Sequence, residues 1–404
     1  MVFEEAISFD NLYSGLLSSQ KGVIWKASVS GYSLNGLKNT YKLRQEILNG
    51  TYRISQYGEF LITEPKVREV LATRIKDRQF QHSLSDNILY PALTRTFIRD
   101  NCACQKGKGV FDALERVLKQ LRSYAVNHKN EGYVLQCDIH KFFPSTVHDV
   151  TCDNLNNYDL DAKTRYHVVC VIKSFIEPKI ANVLHEHGLD RSLSYKYAHE
   201  LTLEHVYGDD KTHIHALLNF EQQRALRDLF KTDICGIGLG SQISQLTELA
   251  LLNSLDHYIK EKLHIKVYER YMDDFILVHP DKEYLKYCLK KIKEFLYVKH
   301  LTLNPKTHIF KLKQGFTFLK WRYLITGTGK VIMRKRRENI TKQLAKMRKL
   351  KKLLDEGKRS IEDIRDNFRC WQAGVHYFGC FNLVMKMRRY YYELFKEVAP
   401  RWKN

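Results

Sequence analysis

Ile265-Lys266-Val267-Tyr268-Glu269-Arg270-Tyr271-Met272-Asp273-Asp274-Phe275-Ile276-Leu277-Val278 sets two adjacent carboxylates between two apolar runs. Both flanks, 265–268 and 275–278, are rich in β-branched and aromatic residues, so each reads as a short strand with the acid pair at the bend of a tight hairpin. Side chains alternate faces along an extended chain, so at most one of the two acids points at a given ligand. A solvated hairpin tip is the plain reading of such a pair. The acids and loops that accompany it decide between that reading and chemistry.

The first companion is Asp138. Tyr133-Val134-Leu135-Gln136-Cys137-Asp138-Ile139 is an apolar strand ending in an acid, where a lone carboxylate is costly without a partner. Asp138 is either a turn cap or the third member of a carboxylate cluster. Three like charges share a site cheaply only when divalent metal compensates them, which is the logic of a two-metal phosphoryl-transfer centre. The second companion is Gly236-Ile237-Gly238-Leu239-Gly240-Ser241-Gln242-Ile243-Ser244-Gln245, opening a helix with Leu246, Leu249, Ala250 and Leu252. Alternate glycines let a backbone approach a ligand closely; a flexible loop with a serine cap is the alternative. Cys104-Gln105-Lys106-Gly107-Lys108-Gly109, before the periodic Val110, Leu114, Val117, Leu118 and Leu121, is a candidate anion cradle.

The 404 residues suffice for two or three domains and a large core. Lys and Arg number 66 against 45 Asp and Glu, a net charge of +21. That excess points to a polyanionic partner through counterion release. Nine irregularly spaced cysteines argue against a disulfide framework and for a reducing compartment. The start of the chain lacks the basic and apolar regions of a signal peptide, and no apolar run approaches the roughly 18–20 residues that span a bilayer. The expectation is a soluble, cytoplasmic protein with no membrane partner.

Elsewhere, residues 1 to about 60 read as polar helices, 60–63 and 67–70 as strands interrupted at Glu64-Pro65-Lys66, with a helix from near Gln79. Residues 150–230 read as a helical insertion whose scattered histidines, His213-Ile214-His215 included, lack partners at a metal-binding spacing. Residues 284–297 form an amphipathic helix, Leu303-Asn304-Pro305-Lys306-Thr307 a turn and 314–323 a hairpin. From Met333 the composition turns basic. Arg334, Lys335, Arg336, Arg337 and further lysines fall on a helical pattern with Ile340, Leu344, Met347 and Leu350, marking a second domain suited to tracking a duplex.

Asp138 with Phe143, then Gly240-Ser241 with Ser244-Gln245, then Tyr271-Met272-Asp273-Asp274, in this order, resembles the bacterial non-retroviral reverse transcriptases. The set is similar to enzymes of group II introns, retrons, diversity-generating retroelements and phage-defence systems, over Asn11-Leu12-Tyr13 to Trp371-Gln372-Ala373-Gly374-Val375-His376. The resemblance implies an α+β right-hand polymerase, with fingers and palm over 1–325 and a basic helical thumb over 326–404. It implies copying of a structured noncoding or element-encoded RNA template into DNA, in antiphage defence or in a retron or diversity-generating element. By the same resemblance, Asp138, Asp273, Asp274 and the Ile139 carbonyl hold two Mg²⁺ ions, with Mn²⁺ as an alternative. Lys306 is the general acid to the leaving pyrophosphate. Lys66, Arg68, Phe143, Gly240, Ser241, Ser244 and Gln245 face the dNTP, Phe143 as the steric gate. Tyr271, Met272, Phe318-Leu319, Trp321, Arg334, Lys335, Arg336 and Arg337 face the template and the DNA primer or product. Gly238-Leu239-Gly240 departs from the family's Pro-x-Gly, and Ser244-Gln245 stands where intron and retron enzymes have Ser-Pro. A template-independent polymerase and an RNA-binding, maturase-like protein are the rival readings.

Overall fold

The computed structural model describes residues 2–63 and 67–401. Helices and three antiparallel sheets alternate in an α+β arrangement. A hairpin pairs β1 (Gly58–Ile62) with β2 (Arg68–Ala72). The central sheet holds β3 (Tyr133–Asp138), β4 (Val267–Tyr271), β5 (Asp274–His279) and β6 (His308–Lys311) in the order β4-β5-β3-β6. The third sheet joins β7 (Phe316–Phe318), β8 (Trp321–Ile325) and β9 (Val331–Lys335).

The central strands read as apolar runs because both faces of their sheet are covered. Leu135, Cys137, Tyr268, Phe275 and Leu277 meet Leu251, Leu255 and Ile259 on one side, with Leu285, Ile292 and Leu296 of the helix Lys282–Val298. The alternate residues Val134, Val267, Ile276 and Val278 meet Leu114, Val117 and Leu121 of the helix Val110–His128. Phe316, Phe318 and Tyr323 of the third sheet complete that second layer. A slip of one residue would exchange the two faces, so packing fixes the register. The strand expected at 265–268 runs instead over Val267–Tyr271. It takes in Glu269 and Arg270, both fully buried, because each finds partners across the fold that a local reading cannot see.

The helix expected from near Gln79 starts earlier, at Ile75; Asp77 in its first turn accepts from the Tyr52 hydroxyl at 2.9 Å. Residues 150–230 are helical but divide between two cores. The helix Ala162–Ser174 gives Val168, Val171 and Ile172 to the core of the N-terminal helices. The helices Glu177–Glu186, Arg191–Tyr207, Thr212–Leu217 and Phe220–Phe230 enclose a core of their own around Ile180, Leu184, Leu201 and Ile214. Arg334 and Lys335 do not lie on a helix: they belong to β9, whose Val331 and Ile332 pair with Ile325 and Leu324. Pairing with β8 outweighs the helical spacing there, and the basic helix begins at Arg337. The C-terminal helices Arg337–Asp355, Ile361–His376 and Phe381–Phe395 pack around Met347, Phe368, Met387 and Tyr391. Among the described residues no helix is long and apolar enough to cross a membrane.

The helices Phe9–Ser19 and Ile75–Leu84 touch at Gly15, where an added Cβ would fall inside the contact radius of the Gln79 carbonyl. Gly15→Ala is therefore expected to cost about 1–3 kcal/mol, as overpacking does. A urea midpoint equal to that of the parent protein would show that these helices sit further apart.

Candidate active site

A two-residue turn, Met272-Asp273, joins β4 to β5, with Tyr271 paired to Asp274. Met272 sits at φ +58°, a left-handed conformation that costs a non-glycine residue of order 1 kcal/mol or more. Two contacts hold it. The Arg270 guanidinium donates from Nη1 to the Met272 carbonyl at 3.0 Å, and the Ile139 amide donates to the Asp273 carbonyl at 3.2 Å. Arg270 is fixed in turn by Asp256, which accepts from its Nε and Nη2 at 2.6 and 2.5 Å. The Tyr268 hydroxyl donates to the same carboxylate at 2.6 Å.

Asp138, the last residue of β3, lies directly opposite Asp274, the first of β5. Residues so opposed project from one face with Cβ atoms about 5 Å apart. Asp273 is in the turn rather than on a strand, so the alternation expected to turn one acid away does not apply to it. The three carboxylates share one electrostatic field. Burial, then the charges of Asp138 and Asp273, push Asp274 up to about 7. Burial also raises Asp273, with Asp138 adding to it and Arg68 and Arg270 opposing.

Two neighbours were not legible in the sequence. Asn304 donates from its backbone to the Asp138 carbonyl at 2.7 Å and from Nδ2 to Asp138 Oδ2 at 2.9 Å, so it holds the acid at both ends. Its only signal was an Asn ahead of a Pro in a turn. Glu248, fully buried, accepts from the Thr146 hydroxyl at 3.1 Å. Burial and the nearby charge of Asp273 hold it well above the usual carboxylate range. It sits on the helix Gln242–Leu251, among apolar residues that masked it.

The other expected residues divide. Phe143 is half-buried at the short helix Phe142–Ser145, and its carbonyl accepts from the Ile237 amide at 2.9 Å. That bond sets the glycine loop beside it. A Cβ on Gly240, at φ +108°, would lie 3.5 Å from the Leu71 carbonyl and from Val70 of β2, so the loop runs against the β1–β2 hairpin. Arg68 is exposed on β2 with its charge reaching Asp273; Lys66 lies outside the described residues. Ser241 is spent on structure: its hydroxyl donates to Gln81 at 3.0 Å and caps the helix through the Ser244 amide at 3.4 Å. Gln245, one turn on, is half-buried, and so are Tyr271 and Met272 at the hairpin.

Lys306 is exposed, and its amide donates to Asn304 Oδ1 at 3.0 Å, tying its turn to the acid edge. Trp321 is only 2% exposed, packed against Phe378 and under the Lys335 ammonium at 4.4 Å, so its ring is not free to meet a base. The turn of that hairpin, Leu319-Lys320, sits at φ +48° and +68°, with Leu319 half-buried and Lys320 exposed. Arg334, Arg336 and Arg337 are exposed, Arg336 pairing with Glu338 at 2.9 Å. The candidate anion cradle is occupied from within: the Lys108 ammonium donates to the Asn101 carbonyl at 2.9 Å, and Arg99 pairs with Asp112 in the first turn of the helix.

Among the described residues no three His, Cys, Asp or Glu side chains close into a ready metal cage. The donor set at the acid edge is nonetheless all oxygen. The bridge between Ile139 and Leu303 uses the Asp138 and Thr302 carbonyls and the amides of Asn304 and His140, leaving the Ile139 carbonyl out. Magnesium is commonly held by one or two carboxylates, waters and substrate phosphates rather than by an all-protein cage, so the residues fit that ion. His199 and His215 pair with Glu177 and Glu204, each at 2.8 Å.

No family model and no curated relative matches the chain. Among solved structures it is similar to the apo telomerase of Candida tropicalis, at 11% identity and TM-score 0.42, over 84% of this chain and 58% of that one. It is also similar to the telomerase of Candida albicans in complex with a fragment of telomeric RNA, at 12% identity and TM-score 0.41, over 70% and 46%. The chain thus spans about half the length of these telomerases. A likeness at that level carries no argument for activity.

Asp274 is held above its unfolded value, so its neutral form is favoured by folding. Stability is full below about pH 4 and is lost as pH rises towards 7, by up to about 1.4 kcal/mol per pH unit before solvent screening. Asp274→Asn removes that slope. Its Tm is expected to exceed the parent's by more at about pH 8 than at about pH 5; an equal difference at both would contradict the burial of this acid.

Proposed function

We propose that the chain is an RNA-directed DNA polymerase. The reading rests on one observation above the others: Asp138 opposite Asp274, with Asp273 in the adjoining turn, at the end of a sheet buried on both faces. In this reading the central sheet is the palm, the β1–β2 hairpin with the N-terminal helices is the fingers, and the three C-terminal helices are the thumb. The primer 3′-hydroxyl attacks the α-phosphate of a dNTP; a new P–O bond forms and the bond to pyrophosphate breaks. Two Mg²⁺ ions held by Asp138, Asp273, Asp274 and the Ile139 carbonyl would stabilise the charge on the phosphoryl oxygens and lower the pKa of the attacking hydroxyl.

The chain's own groups orient the rest. Asn304 fixes the Asp138 carboxylate, and Arg68 brings a cation to the acid edge from β2. Phe143 presents a half-buried ring next to the glycine loop, where it would meet a ribose 2′-hydroxyl. Lys306 extends from the turn tied to Asn304 and supplies a proton to the leaving pyrophosphate. Lys320, Lys342, Lys346, Lys349 and Arg359 line a groove of about 1020 Å³, a cationic track for a duplex backbone, read by shape rather than sequence. The template is RNA, and base pairing selects the nucleotide.

Asp273→Asn with Asp274→Asn is expected to abolish Mg²⁺-dependent primer extension on an RNA template while RNA affinity stays within about twofold, since removing two acids weakens no phosphate contact. Extension by that double variant would remove the assignment. Product that forms equally without RNA, and whose sequence ignores the template, would favour template-independent synthesis. Phe143→Val is expected to admit ribonucleotides; unchanged discrimination would place the gate elsewhere.

A further inference from the structure

The helices between Glu177 and Phe230 have a core of their own, and the function proposed above gives them no task. Their contacts supply one. Residues 51–57, the irregular segment that leads into β1, are gripped along their length by this unit. Arg53 donates from Nε and Nη2 to both oxygens of Asp209, each at 2.8 Å, and its guanidinium lies 4.6 Å from the centre of the Tyr207 ring. The Ile54 amide donates to the Tyr207 hydroxyl at 3.3 Å. Gln56 donates to the Tyr195 carbonyl at 3.0 Å. The Tyr57 amide donates to the buried Glu177 carboxylate at 3.0 Å, and the Tyr195 hydroxyl donates to Glu59 on β1.

The hairpin so gripped has little else to hold it. Phe60, Leu61 and Ile62 are exposed, and on β2 only Leu71 packs into the neighbouring core. Yet this hairpin carries Arg68, whose charge reaches Asp273. The residues that lead into the unit also touch the site. Phe175, two residues before Glu177, stacks on Tyr57 with centroids 5.4 Å apart. A Cβ on Gly238 would meet Phe175 at 2.5 Å and Leu71 at 3.3 Å. Tyr57, which Glu177 of the brace holds, therefore continues through Phe175 to Gly238 and Leu71 at the glycine loop.

We propose that the helical unit 177–230 is a brace that positions the β1–β2 hairpin over the acid edge, with Asp209, Glu177 and Tyr195 as positioning residues that set affinity for the incoming nucleoside triphosphate. This rests on the polymerase reading. Binding energy of this kind is shared by ground and transition states, so its loss raises KM and spares kcat. Asp209 is part-exposed and peripheral to its core, so its replacement leaves the fold intact.

The test compares the full-length parent protein, Asp209→Ala, Asp209→Glu and Tyr195→Phe in primer extension and in hydrogen exchange. Asp209→Ala is expected to raise KM for dNTP about three- to tenfold at unchanged kcat, a loss suited to a part-exposed charge-assisted pair. Exchange at residues 58–62 and 68–72 should quicken with Tm unchanged, Tyr195→Phe should act in the same direction, and Asp209→Glu should restore both readouts. An unchanged KM, a loss confined to kcat, or unaltered exchange at the hairpin would overturn the brace. Hydrogen exchange reads the brace whether or not the parent protein extends a primer. A parent without extension therefore counts against the polymerase reading, while quickened exchange in Asp209→Ala still supports the mechanical role.

Discussion

The acid edge depends on one buried ion pair. Arg270 and Asp256 are both fully shielded from solvent, and breaking such a pair from one side leaves an uncompensated charge at a cost of about 3–5 kcal/mol. That penalty makes the pair rigid, and its rigidity is transmitted. Nε and Nη2 satisfy Asp256, and Nη1 donates to the Met272 carbonyl. A methionine in the left-handed region would otherwise relax to an ordinary turn and carry Asp273 with it. The left-handed turn that carries Asp273 thus traces to Asp256, on a helix 14 residues before Arg270.

The surroundings are arranged for charge that arrives with ligands. Burial and the charge of Asp138 push Asp273 and Asp274 up, and burial holds Glu248 well above the usual carboxylate range. A site left in that condition favours cations, and it faces outward from a chain with a net charge of +21. The two signs are segregated: the acids sit at one sheet end, while the lysines line the groove of the C-terminal helices. Such segregation suits a substrate that is itself a polyanion bearing hard cations at its reactive end.

Much of this was written locally in the chain. β3 and β5 were legible because burial on both faces leaves unbroken apolar runs; a bend at the acid pair was legible because acids interrupt them, but the turn is Met272-Asp273 and Asp274 already opens β5. The limits of β4 were not legible, since Glu269 and Arg270 look like surface residues. They are buried because Cys102 donates to Glu269 at 2.7 Å and Gln120 at 3.1 Å, while Asp256 meets Arg270. Those partners are set by the fold, not by spacing. Arg334 and Lys335 followed a helical pattern by accident of their basic neighbours, and strand pairing prevailed. Asn304 and Asp209 each act on one distant residue, Asp138 and Arg53, which leaves no periodic trace. The histidine-rich stretch resisted reading for the same reason: its hydrogen bonds to Glu177 and Glu204 join residues on different helices.

The most direct measurement is an anomalous difference map from crystals of the protein soaked with Mn²⁺ and a non-hydrolysable deoxynucleoside triphosphate. The account predicts manganese density bridging the carboxylates of Asp138 and Asp273 or Asp274, with the triphosphate beside Arg68. Density at another site, or ordered nucleotide with no metal at this sheet end, would contradict it.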